Sequence, residues 1–196
     1  MSFTHLVFLI AIFSPSFLYA EDSASLKKLE TLLPRRSTEE SKTLDLSGVD
    51  MRTYNLCTSD KNQKINLNNA NFEGANFSGL KICNVNFEGA NLKNANFEGA
   101  SIISCNFQHT TGPVNFTRAS IRYSGFNYAN LANSQFTSAN LESTGFDYAD
   151  LRNTNFDQSL LIAVNFYSVD LTGYSCSGAQ MERTNFAKSR GTSIFD

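Results

Sequence analysis

The residues able to do chemistry are few. Four cysteines, Cys57, Cys83, Cys105 and Cys176, offer thiols for nucleophilic attack, metal ligation or disulfide formation. No two form a CxxC pair, and His5 and His109 are the only histidines, so zinc-site spacing is lacking. No nucleophile elbow, glycine-rich phosphate loop or metalloprotease signature occurs. His109 stands alone and reads as a solvated residue rather than a base. The patterns Asn76-Phe77-Ser78 and Asn115-Phe116-Thr117 match a glycosylation acceptor, but their central phenylalanines belong to a larger regularity. Chemistry therefore points away from catalysis: no catalytic residue, cofactor site or metal site is expected.

The elements that must position these residues repeat every five residues. One stretch runs INLNN-ANFEG-ANFSG-LKICN-VNFEG-ANLKN-ANFEG, another ANLAN-SQFTS-ANLES-TGFDY-ADLRN-TNFDQ. A large apolar residue forms the centre of each unit, from Leu67, Phe72 and Phe77 through Phe107, and after a slip from Phe116 through Phe186. Beyond residue 20 there are 13 phenylalanines, and all but Phe195 are centres. Two positions before the centre sits a small residue, such as Ala70, Ala95, Ala119 or Ala139; elsewhere Ser, Thr or Val fills the slot. Asn or Asp mostly lies between them, as at Asn71, Asn96, Asn130 and Asp150. Five is neither the helical period nor a strand alternation, but within a unit the small residue and the centre are two apart and share a face.

This A-(N/D)-(L/F)-x-x grammar, running from Leu44 to Ser189, resembles the pentapeptide-repeat family. The resemblance implies an all-β fold: a right-handed quadrilateral β-helix with four units, twenty residues, per coil. About seven coils, stacked at the interstrand distance of ~4.8 Å, would make a rod roughly 34 Å tall. Phenylalanine and aliphatic centres alternate, most cleanly from Phe116 to Leu171, so a four-sided coil places phenylalanine on two opposite faces and leucine or isoleucine on the other two. The interior is then a packed core rather than a pocket.

Four segments are expected: a signal peptide over 1–20, a capping helix and linker over 21–43, the β-helix over 44–190, and a tail over 191–196. The unbroken apolar run at 6–13 is too short to span a bilayer and is followed by Ala20 before Glu21-Asp22, which reads as an export signal; a buried strand or an uncleaved anchor is the alternative. Over 23–33, Leu26, Leu29, Leu32 and Leu33 share one helical face, with Asp22 or Ser23 as cap and Pro34 as stop, predicting a short α-helix over the first coil or against a membrane surface. Phe195 is placed to fold back over the last coil.

Two register slips interrupt the repeat. The spacing from Leu56 to Leu67 is eleven rather than ten, and from Phe107 to Phe116 nine rather than ten. Gly112-Pro113 suits a distorted corner at the second. Counting four units per coil, Cys57 and Cys83 face outward in successive coils on neighbouring faces, where an oxidising compartment permits a Cys57–Cys83 disulfide; Cys105 and Cys176 fill inward slots. Glu73 with Lys93, and Arg122 with Glu142, are twenty apart and should form stacked surface ion pairs. Tyr123, Tyr128, Tyr148 and Tyr167 gather about one face, as a protein-binding patch or as a stabilising aromatic ladder.

A net charge of −2 and a pI near 5.7 give no basic footprint, so no nucleic acid is expected as partner. Function is expected to be that of a non-enzymatic exported binding module, periplasmic or secreted (thylakoid-lumenal in a photosynthetic source), whose unidentified partner is a protein and whose mature chain spans no membrane. Some relatives mimic B-form DNA and bind gyrase; those are cytoplasmic, strongly acidic on the rod and dimerise through a C-terminal helix, and this chain departs on each count. A secreted effector is the further alternative.

Overall fold

A computed structural model describes residues 44–57 and 64–191. The signal-peptide and capping-helix segments, the first register slip and Phe195 lie outside them. Most described units take one shape. The small residue and the centre point inward on a short extended segment, and the chain then turns a corner. The centre's carbonyl accepts a hydrogen bond from the amide three residues on, as from Ala100 to Phe97 at 3.0 Å and from Ala139 to Phe136 at 3.0 Å. The residue two past the centre takes positive φ, as the third position of a type II turn requires; Gly99 (65°), Asn133 (66°) and Ser138 (58°) supply it.

Four such corners close one coil of a right-handed β-helix. On face A the rungs are Asp45, Asn71, Asn91, Thr111, Asn130, Asp150, Asp170 and Arg190; on face B they run from Asp50 through Asn76 and Asn96 to Ser175. Face C holds the longest strands: β2 (Lys81–Cys83), β4 (Ser101–Ile103), β5 (Ser120–Arg122), β6 (Asn140–Glu142), β7 (Leu160–Ile162) and β8 (Gln180–Glu182) form one six-stranded parallel sheet. The bridge from Leu56 to Ile82 adds a rung below β2, making seven rungs and six coil-to-coil steps. Face D begins with β1 (Ile65–Asn66) on β3 (Val85–Asn86). The only helical turn among the described residues is a 3-10 turn at Met51–Thr53, where the Asp50 carboxylate accepts from the Arg52 amide.

The centres sort by face as their alternation predicts. Face D stacks Phe87, Phe107, Phe126, Phe146 and Phe166, and face B stacks Phe77, Phe97, Phe116, Phe136 and Phe156, all no more than 1% exposed. Rings on one face lie parallel, as Phe107 on Phe126 (4.6 Å, 6°) and Phe126 on Phe146 (4.9 Å, 8°); across the core they meet edge to face, as Phe116 and Phe126 (5.6 Å, 84°). Both geometries suit the aromatic quadrupole. Isoleucine and leucine line face C, and leucine most of face A. The interior is solid.

Two sequence expectations are corrected. The first coil pairs with the second at an offset of 26 on three faces, Asp45 to Asn71, Asp50 to Asn76 and Leu56 to Ile82, where other coils repeat at 19 or 20. Leu56 lies on face C and Leu67 on the neighbouring face D, so a spacing of eleven stands where neighbouring centres are elsewhere five apart, a surplus of a whole unit plus one residue. Cys57 and Cys83 consequently share face C, one rung apart, rather than neighbouring faces. The second slip is a four-residue corner: Gly112 occupies the centre slot on face A between Leu92 and Leu131.

Candidate functional site

The corner between faces C and D departs from the repeat for a reason. Its inner slots hold Cys105, Ser124 and Thr144 where alanine is usual. Here the centre-to-amide turn bond is replaced: Ser124 Oγ donates to the Arg122 carbonyl (2.9 Å) and accepts from the Cys105 amide (3.1 Å), and Thr144 Oγ1 donates to the Glu142 carbonyl (3.2 Å). The Ser124 hydroxyl thus satisfies the Cys105 amide, which a methyl would leave without its partner, while the Arg122 and Glu142 carbonyls also accept from the Ser104 and Tyr123 amides. The Cys105 thiol, buried and donating to the Ile103 carbonyl at 3.4 Å, is pushed up to about 12 by its burial, so it stays a neutral core group at neutral pH.

The structure joins Cys57 and Cys83 by a disulfide, with Cα atoms 4.4 Å apart. It ties a first coil that has no phenylalanine to the aromatic core above. Loop entropy for the 26-residue separation gives such a bond about 2–4 kcal/mol. Reduction is therefore expected to lower the melting temperature, with protection from hydrogen exchange lost first at residues 44–57; equal melting with and without reductant would contradict this.

Glu73 and Lys93 pair at 3.3 Å as their spacing predicts. Arg122 and Glu142 do stand in register, but no ion pair joins them: neighbouring positions on adjacent strands do not by themselves bring the two charged ends together. Arg118 with Glu98, and Arg152 with Asp150 (2.6 Å), pair instead.

Tyr128, Tyr148 and Tyr167 stand on and beside the corner between faces D and A. His109, Tyr128, Tyr148, Ser168 and Lys188 occupy one slot of successive coils, all at positive φ. His109 stacks on Tyr128 (5.3 Å) and Tyr128 on Tyr148 (5.0 Å, 7°). Tyr167, one residue before this slot, meets Tyr148 edge-on at 5.7 Å, and Lys188 Nζ lies 5.2 Å over the Tyr167 ring. Stacking turns the faces of Tyr128 and Tyr148 toward one another and leaves their edges half exposed. Tyr123 stands apart at the corner between faces C and D, 59% exposed, and among the described residues no ring contacts it. The structure thus brings three of the four tyrosines together and places the fourth across face D. His109 and Lys188 were missed as members of the ladder; counting slots through the four-residue corner would have found both.

Beside the ladder, an open groove of about 510 Å³ runs between Tyr148, Lys188 and Arg190 and the carboxylates of Asp150 and Asp170. Hydrogen bonds from Arg152 hold the Asp150 carboxyl below its usual range. Burial pushes the Asp170 carboxyl up, but hydrogen bonds from Thr172 and the charges of Arg190 and Arg152 outweigh it and leave it lowered. The groove's carboxylates are thus already paired, Asp150 with Arg152 and Asp170 with Arg190. No group of three or more His, Cys, Asp or Glu able to hold a metal occurs among the described residues, nor any helix long and apolar enough to cross a membrane.

Among the described residues the four-sided β-helix has an interior filled by apolar side chains and varies its residues on the outer faces. Residues 63–89, 84–111, 115–144 and 145–173 match the model for pentapeptide repeats, eight copies in all, and the chain belongs to that family. Proteins of this family are generally structural or binding modules. Among solved structures the chain is similar to HetL, a pentapeptide repeat protein involved in heterocyst differentiation regulation from the cyanobacterium Nostoc sp. strain PCC 7120 (20% identity, 63% of this chain and 66% of that one, TM-score 0.35). It is also similar to a pentapeptide repeat protein from the Arabidopsis thaliana thylakoid lumen (24%, 52% and 64%, 0.38) and to trypsin-treated QnrB1, a plasmid-mediated fluoroquinolone resistance protein (20%, 74% and 70%, 0.42). The matches span just under two thirds of the first two of these chains. No curated protein matches it.

Proposed function

We propose that this chain is an exported, non-enzymatic binding module that engages a protein partner through its flat β faces, with Tyr123, Tyr128, Tyr148 and Tyr167 as the contact patch. Tyr123 carries the reading. It holds a bulky side chain at φ 53°, a conformation costing an L-residue about 1–2 kcal/mol, yet it stacks on nothing. Tyr128 and Tyr148 recover part of the same cost, about 0.5–1.5 kcal/mol, by stacking; Tyr123 does not. An exposed aromatic with no ring partner suits contact with something else. Export is supported by the apolar run at 6–13 and by a disulfide of the kind oxidising compartments permit.

Expression of the tagged full-length chain, fractionation, and determination of the N-terminal residue test this. The expected species is exported and begins at Glu21. An uncleaved species in the cytoplasm would contradict it.

A further inference from the structure

We propose that face C is a self-association surface. Two copies of this chain pack face C on face C with their rods antiparallel, about a two-fold axis that runs along the strands between β5 and β6. The proposal does not rest on the tyrosine patch, of which only Tyr123 borders this face.

Face C differs from the other three. Each of its strands points one side chain outward before the buried centre and one after it. Ile103, Leu160 and Ile162 fill such slots, and among residues 64–191 no other branched aliphatic side chain does. Strand propensity accounts for β-branched residues on the face with the longest strands. It does not account for their isolation. Ile103 stands between Cys83 and Arg122, Ile162 between Glu142 and Glu182, and Leu160 between Asn140 and Gln180. None has an aliphatic neighbour in its own column, and all three stay partly exposed.

The charges are arranged for a reversed copy. In the strands of this sheet Lys81 and Arg122 are the charges of the lower three, Glu142 and Glu182 those of the upper three. Two such faces repel when their rods run parallel and complement each other when they run antiparallel. A two-fold axis between β5 and β6 sets β5 opposite β6 of the second copy, β4 opposite β7 and β2 opposite β8. Arg122 then faces Glu142 of the second copy and Ile103 faces its Ile162, and each contact occurs twice, as an isologous interface requires. Facing sheets lie about 10 Å apart, a gap that arginine and glutamate side chains span together. Arg122 and Glu142 stand in register without pairing inside the chain, so both charged ends are available. The corner cations Arg118 and Arg183 are already held, by Glu98 and Glu182, which leaves the orientation to the central four charges. Six strands make a face roughly 29 Å tall and, with its corner side chains, about 15 Å wide, on the order of 430 Å² a side. That is about half of what a standard complex buries, so the dimer is weak and reversible.

Sedimentation equilibrium of the purified protein from about 10 µM to about 1 mM tests this. A monomer–dimer equilibrium is expected, with a Kd on the order of 100 µM that weakens at high salt. Arg122→Glu alone and Glu142→Arg alone each set like charges across the two-fold axis, and each should weaken association at least tenfold with the melting temperature held. Mixed in equal amounts, the two variants should associate again as a heterodimer, because each then meets the opposite charge. A role of these residues within one chain cannot produce that recovery. Ile162→Asn, which puts on the face a residue usual in outward slots, should weaken association at least threefold and serves in place of a charge variant that misfolds. A protein that stays monomeric at about 1 mM, variants that associate within twofold of wild type, or charge variants that fail to recover on mixing would overturn the proposal. A monomer that still captures a partner in the exported fraction would leave the tyrosine patch standing and remove only the face C dimer; a dimer that captures nothing would do the reverse.

Discussion

Phe126→Ala is expected to destabilise the protein by about 3–5 kcal/mol. The ring is fully buried, stacked between Phe107 and Phe146 on its own face and met edge-on by Phe116 and Phe136 from the opposite one. Neighbouring coils are held apart by backbone hydrogen bonds on all four sides, so the space cannot collapse, and four rings lose contacts at once. Because coils touch only their neighbours, the loss should also divide the unfolding transition into segments on either side of the gap. Guanidinium unfolding followed by circular dichroism reads both effects. A loss under about 1 kcal/mol would mean the rings are not a continuous core.

Gly112→Ala is expected to cost more than about 4 kcal/mol, a size reserved for substitutions with a severe local cause. Gly112 occupies the centre slot of the four-residue corner at φ 108°, and a Cβ there would fall 2.4 Å from Lys93 Cα and 2.6 Å from Lys93 N. Those are backbone atoms of the coil beneath, which no rotamer change can move. Gly125→Ala, with open space and ordinary φ, serves as the control and should be near neutral. Thermal midpoints separate the two; equal midpoints would contradict this reading of the short corner.

Much of the fold was legible because each residue in a unit does one job. The phenylalanine–aliphatic alternation from Phe116 to Leu171 agrees with four sides, since an odd number of faces would mix the two kinds in one column. The first coil was not legible in the same way. Its 26-residue offset hides a whole unit that leaves no apolar centre behind, so counting set Cys57 and Cys83 on neighbouring faces when they share one. Ser124, Thr144 and Cys105 looked like loose fillings of an alanine slot; their hydrogen bonds to corner carbonyls become visible only when that corner is seen to lack the usual turn bond. The Arg122–Glu142 pairing failed at the last step, because register places two charges together without obliging them to bond. In the candidate site the tyrosines were found from spacing alone. The ring geometry that divides them into a stack and a lone Tyr123 depends on side-chain directions that spacing does not carry.

That division bears on function. Tyr128 and Tyr148 are accounted for at least in part by their own stack, and the groove beside them is closed by internal ion pairs of Asp150, Arg152, Asp170 and Arg190. What the ring stack leaves unexplained is Tyr123.

Tyr123→Gly tests most directly whether the exposed tyrosines serve contact rather than stability, with melting temperature and partner capture in the exported fraction measured side by side. Glycine removes the ring and relieves the left-handed backbone conformation. The melting temperature is therefore expected to hold or to rise by the equivalent of about 1 kcal/mol, while capture is lost. A lower melting temperature with capture unchanged would contradict the proposal and make Tyr123 a structural residue.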